Sequence, residues 1–177
     1  MSGPPGPSRD ALYEQVARDQ RRMIARMAAG YEADPALRED LEQDIHLQLW
    51  RSLADFAGQC SLATWTHRVA HNVCARHIDK AVRAKRLGAL SGLDDLAVAD
   101  ESAGPEQTAL ATLTLERVYG LIHRLRPLDR QVALLYLEDC SAPEIAEIIG
   151  LTSGAVATRI HRLKALLTNA FAEREAQ

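Results

Sequence analysis

The segment between Leu128 and Leu167 constrains this chain more than any other. Ala142-Pro143-Glu144-Ile145-Ala146-Glu147-Ile148-Ile149 has the spacing of a short helix, and Gly150-Leu151-Thr152 supplies a tight turn. Ser153 to Phe171 continues as a longer helix capped by Thr152. A short helix, a glycine-containing turn and a long helix make a helix-turn-helix. Ala146 is small enough for the two helices to cross closely, and Gly150 can take the positive φ that the turn needs. On the long helix Val156, Ile160, Leu163 and Leu167 form one apolar stripe, which leaves Ala155, Thr158, Arg159 and Arg162 to point outward. Short side chains followed by arginines suit a helix entering the major groove, its first turn near base edges and its arginines on phosphates or guanines. An ordinary helical hairpin with exposed arginines is the alternative. The Ile145-Ala-x-x-x-Gly-Leu-Thr run followed by Val156-x-x-Arg-Ile weighs against it.

The rest of the chain also reads as helical, so the expected fold class is all-α. Aromatic residues make up only 5% of the 177 residues, low for a β-sandwich, while Ala, Leu, Arg and Glu are plentiful. A first helix is expected from Ser8 or Asp10 to Ala29, with Gly30 as a left-handed cap. A second starts at Asp34, the N-cap before Pro35, carries Leu37, Leu41, Ile45, Leu47, Leu49 and Trp50, and ends around Phe56. After the loop Ala57-Gly58-Gln59-Cys60, Ser61 caps a third helix holding Leu62, Trp65, Val69 and Val73 and running toward Arg86. Gly88 to Pro105 breaks the pattern and reads as a linker. The organisation expected is therefore one helical module over 8–87, a linker over 88–106 and a helix-turn-helix module over 107–177. No run of eighteen apolar residues is present, and the N-terminus lacks the basic start and apolar stretch of a signal peptide. A soluble, cytoplasmic protein without membrane insertion is expected. The odd cysteine count, three, argues against a disulfide framework.

A net charge of −3 conceals blocks of opposite sign. From Tyr31 to Phe56 the acids Glu32, Asp34, Glu39, Asp40, Glu42, Asp44 and Asp55 face only Arg38 and Arg51. From Cys60 to Leu90 the balance reverses, with Arg68, Arg76, Lys80, Arg83, Lys85 and Arg86 against Asp79. Such blocks point to an acidic face for a protein partner and basic faces for a polyanion, with a merely solvated surface as the alternative.

Leu128-Asp-Arg-Gln-Val-Ala-Leu-Leu, Ser141-Ala-Pro-Glu-Ile-Ala-Glu-Ile-Ile-Gly-Leu-Thr and Val156-Ala-Thr-Arg-Ile-His-Arg-Leu-Lys together resemble region 4 of bacterial sigma factors, most closely the compact extracytoplasmic-function (ECF) group. Glu39-Asp40-Leu41-Glu42-Gln43-Asp44, leading into Leu47 and Trp50, resembles region 2.2. Phe56 to Trp65 with Arg68 to Asn72 is similar to the loop and helix of regions 2.3 and 2.4. The resemblance implies that Asp40, Leu41, Gln43, Asp44, Leu47 and Trp50 bind core RNA polymerase. It implies that Gly58, Gln59, Ser61, Trp65, Arg68, His71, Asn72 and Arg76 hold the minus-ten element, where a base is flipped into a pocket. It implies that Thr152, Ser153, Ala155, Thr158, Arg159 and Arg162 read the minus-thirty-five element. Trp65 shares a stripe with Leu62, Val69 and Val73, which favours core packing over base stacking. Against the family pattern, Glu42 stands where an apolar residue is common, His46 where an aromatic is, Arg76 where an Asp is, and Ala157 where a Lys is.

The implied partners are core RNA polymerase, promoter DNA and an anti-sigma factor. Polymerase would supply the bond chemistry, so the chain is not expected to be an enzyme, and no cofactor or metal is expected. A stand-alone helix-turn-helix regulator is the second reading; it would need neither the acidic helix nor the Phe56–Trp65 loop. A third places a metal on His67, His71 and Cys74, which share one helical face at i, i+4 and i+7, although no fourth ligand or acid–base partner is evident.

Overall fold

The structure, a computed structural model, describes residues 8–90 and 106–175, with side chains over 8–84 and 115–168. The chain divides into two compact units, Met1–Ala111 and Thr112–Gln177. Among the described residues all regular structure is helical.

The first unit holds α1 (Arg9–Asp19), α2 (Arg21–Tyr31), α3 (Pro35–Ser52), a short 3-10 turn (Leu53–Asp55) and α4 (Leu62–Leu90). Ser8 caps α1 by accepting from the Ala11 amide, and Asp34 caps α3 through the Ala36 and Leu37 amides. The single helix expected up to Ala29 is instead two, broken at Gln20 (φ −109°, ψ 5°). The break falls in the polar run Arg18-Asp19-Gln20-Arg21-Arg22, where no apolar residue is given up. Gly30 is not a cap: it is buried inside α2 among Ala28, Ala29 and Tyr31, and the helix ends at an extended Glu32. The Gly30 backbone is helical, so no left-handed freedom is used there.

Ile24, Met27, Leu41, Ile45 and Leu49 are essentially inaccessible and form the core of this unit with Ala70 and Cys74 of α4. Burying each large aliphatic side chain contributes about 1.5–3 kcal/mol. α4 continues to Leu90, into the segment read as a linker; residues 91–105 of that segment lie outside the described residues.

The second unit holds α5 (Glu106–Arg124), α6 (Pro127–Leu137), α7 (Ala142–Ile149) and α8 (Ser153–Glu175). Ile122, Val132, Leu135, Ile145 and Val156 fill its core. Ser141 forms a capping box with Glu144 at the start of α7. Gly150 ends α7 at φ 72° and ψ 35°, where its amide and that of Leu151 both donate to the Ala146 carbonyl at 3.0 Å. Thr152 then caps α8 by accepting from the Ala155 amide at 3.2 Å. Arg130 on α6 donates to the carbonyls of Ile122 and His123, tying the end of α5 to α6.

Both tryptophans, Trp50 and Trp65, lie in the first unit, so their fluorescence reports its unfolding alone. Ile45→Ala should lower the stability read from that signal by about 2–5 kcal/mol in a urea titration. A shift below about 0.5 kcal/mol, the size seen for surface substitutions, would contradict the packing.

Candidate nucleic-acid and protein-docking surfaces

Helix α3 has two faces. Leu41, Ile45 and Leu49 point into the core, and Glu39, Asp40, Gln43, Asp44 and Leu47 lie exposed. Leu37, Asp40, Asp44 and Leu47 alternate three and four residues apart, so two carboxylates are flanked by two half-exposed leucines on one strip. Leu37 is absent from the sequence-derived set, though its spacing to Asp40 and Asp44 was there to be read. One member of that set is corrected, and a second, Trp50, is half-buried. Leu41 is 1% exposed, because the helical repeat places it with Ile45 rather than with Asp40. Trp50 faces α1: its Nε1 donates to Asp10 at 3.1 Å and the Arg9 guanidinium lies 3.5 Å over its ring. On the same side Tyr13 and His46 meet edge to face and share a hydrogen bond of 3.2 Å; burial pushes the His46 pKa down against the opposing pull of Glu42.

The loop before α4 is built to hold a shape. Gly58 has φ 76°, Gln59 folds its side-chain oxygen onto the Ala57 amide at 2.8 Å, and Ser61 accepts from the Thr64 amide at 3.0 Å. Gly58, Gln59 and Ser61 are exposed. Trp65 packs edge to face on Phe56, centroids 5.5 Å apart, and its Nε1 donates to Ser52 Oγ at 3.2 Å. Ser52 donates in turn to the Leu49 carbonyl at 3.0 Å. With its ring against Phe56 and its nitrogen on α3, Trp65 anchors the loop, in line with the packing its sequence stripe favoured.

Along α4, Asn72, Arg76, Asp79, Lys80 and Arg83 are exposed and Arg68 is half-buried. His71, expected on the DNA face, is instead 4% exposed, since it falls one turn from Cys74 on the side that packs inward. The His67, His71 and Cys74 constellation does not assemble as ligands. His67 Nδ1 bonds to the Ala63 carbonyl at 2.9 Å, and burial pushes the Cys74 thiol up to about 12. No cluster able to hold a metal occurs among the described residues. Between α3 and α4 an open cleft of about 250 Å³ brings Asp44, Leu47 and Arg51 to face Arg76 and Lys80 over a floor of Leu41 and Val73. His77 closes the neighbouring edge by a 2.8 Å ion pair to Glu32.

In the second unit Val156, Ile160 and Leu163 are buried as their stripe requires. The outward face is rotated from the expected one. Ser153, Gly154, Ala157, Thr158, His161 and Arg162 are exposed, whereas Ala155 and Arg159 are half-buried. At about 100° per residue Arg159 lies only ~60° from Val156, and His161 lies well away from the stripe. Arg159 is engaged with the fold, its Nε 3.3 Å from Asp129 and its Nη1 donating to the Ala155 carbonyl at 3.2 Å. His161 is absent from the sequence-derived set, and Ala157 enters the sequence reading only as a departure from the family pattern.

Thiol exposure gives a direct check. Cys60 is half-exposed, Cys74 is buried, and burial beside Glu144, Glu138 and Asp139 pushes Cys140 up to about 11. One thiol should therefore react promptly with Ellman's reagent in the folded chain and all three in denaturant. Prompt reaction of Cys74 in the folded chain would contradict this core.

Comparison with known proteins finds the same two regions. Residues 16–84 match the family model "Sigma-70 region 2" and residues 115–167 match "Sigma-70, region 4". The RNA polymerase sigma factor CnrH of Cupriavidus metallidurans is 32% identical over 136 residues, covering 73% of this chain and 71% of that protein. A Xanthomonas campestris protein named as a probable RNA polymerase sigma factor, RfaY, is 26% identical over 167 residues, and the match covers 92% of this chain but 41% of its own length. The sigma factor RpoE solved in complex with the anti-sigma factor NepR from Bartonella quintana shares the fold at a TM-score of 0.65 and 18% identity, over 90% of this chain and 98% of that one.

Proposed function

Because the chain belongs to the sigma-70 family of RNA polymerase sigma factors, we propose that it is an ECF-type member that directs core polymerase to a set of promoters and assists their melting. The observation that carries the residue assignments is the pairing of faces in the first unit: α3 turns an acidic, leucine-flanked strip outward, and α4 turns outward Asn72, Arg76, Lys80 and Arg83.

Asp40, Gln43, Asp44 and Leu47, joined by Leu37, would dock on a basic, partly apolar surface of polymerase. Gly58, Gln59 and Ser61 would form the polar lip for an extruded minus-ten base. Arg68, Asn72 and Arg76 would then hold the strand, and Trp65 would support the loop from behind. In the second unit Thr152, Ser153, Thr158 and Arg162, with Ala157 and His161, would meet the minus-thirty-five duplex. Two modest contacts in one chain make the second effectively intramolecular once the first has formed. Bond formation stays with polymerase, so the chain acts as a recognition subunit and not as an enzyme. Its place of action is then the cytoplasm; no described helix is long and apolar enough to cross a membrane. An anti-sigma factor is the natural regulator of such a subunit, and RpoE, which shares this fold, was solved with one.

Run-off transcription with purified core polymerase on a genomic promoter library tests the reading. Wild type should yield specific transcripts, and Asp40→Ala/Asp44→Ala should weaken core binding on the order of tenfold and reduce those transcripts in proportion. Tight duplex binding by the chain alone, with no core binding, would favour the stand-alone regulator.

A further inference from the structure

We propose that Asp129 is a positioning residue for the recognition helix: its carboxylate holds Arg159 toward α6 and so keeps that arginine out of the set of side chains that α8 turns toward duplex DNA. The inference rests on the sigma-factor reading above.

Asp129 lies in the first turn of α6, and each of its carboxylate oxygens takes a different arginine. Oδ2 meets Arg126, at 2.9 Å to Nε and 2.8 Å to Nη2. Oδ1 meets Arg159 Nε at 3.3 Å. The two pairs differ in kind. Arg126 is 79% exposed and three residues away on the same helix, a geometry that adds little to a fold. Arg159 is 27% exposed, belongs to α8, and is fixed a second time by its own Ala155 carbonyl. Bonded to its own helix through Nη1 and paired in charge with Asp129, the guanidinium is drawn toward α6 and away from the exposed face.

The surroundings explain why an acid is required there. Asp129 is the one acid lining a cleft that also carries Arg124, Arg126, Arg159 and Arg162. Removing it would leave four cations facing one another and Arg159 half-buried without its countercharge. Released, Arg159 would be free to swing toward the exposed face of α8, whose axis stays fixed by the burial of Val156, Ile160 and Leu163. The outward set of Ala157, Thr158, His161 and Arg162 therefore excludes Arg159 only while its contact with Asp129 holds.

The experiment uses the full chain bound to core polymerase and a promoter fragment selected by the wild-type holoenzyme in run-off transcription. Asp129→Ala should reduce discrimination between that fragment and non-promoter DNA roughly tenfold, with core binding unchanged, and Asp129→Glu should restore it. Arg159→Met should leave the slope of log affinity against log salt unchanged, because no phosphate contact is lost, while increasing hydrogen exchange along α8. The double variant should exchange no faster than the worse single one. If Arg159→Met fails to fold, Arg159→Gln gives the same readings. A slope reduced by about 0.9 in either Arg159 variant, or loss of preference at one base pair, would assign Arg159 to DNA and overturn the proposal. So would full discrimination in Asp129→Ala. A wild-type holoenzyme that selects no promoter would overturn the sigma-factor reading and this inference with it.

Discussion

Everything the first unit presents to a partner follows from the burial of Leu41, Ile45 and Leu49 against α2 and α4. Those three side chains occupy one face of α3, and an α-helix has no other way to bury them than to expose the residues between them. Asp40 and Asp44 are outside because Leu41 and Ile45 are inside. The same packing seats α4, which carries its own cations away from the core. An acidic face and a basic face are thus two consequences of one hydrophobic contact, placed on rigid helices rather than on loops.

The loop between these helices shows how an exposed segment acquires a definite shape. Its tip is polar and open, with Gly58 in a backbone conformation that most residues avoid. Its roots are held by Phe56 and Trp65, and the Trp65 indole reaches through Ser52 to the backbone of α3. Support of this kind lowers the ordering cost of any contact that the loop makes. The tryptophan that looks like a stacking platform contributes more as the wall behind it.

Much of this was legible beforehand. Asp34 before Pro35, Ser61 before α4 and Thr152 before α8 are start signals whose chemistry is local, and each caps its helix. Gly150 is equally local, because the turn needs a positive φ whatever packs on it. The misread positions have a common cause. Read locally, Gly30 is a stop and His71 a DNA contact, yet both are buried, and Trp50 on the docking helix is half-buried with Arg9 over its ring. Local pattern reports what a residue can do, and burial by a distant segment decides what it does.

The sequence by itself determined the all-helical class, the helix-turn-helix, the sign of each charged block and the family. These depend on periodicity and on residue types a few positions apart, and both survive without knowledge of the fold. Only the tertiary structure decided the break at Gln20, the seat of Trp65 and the rotation of α8 that pairs Arg159 with Asp129 while exposing His161. Those outcomes turn on contacts between residues far apart in the chain or on opposite edges of a helix. Helical spacing fixes a face to within tens of degrees, and the packing of Val156, Ile160 and Leu163 into the core settles the remainder.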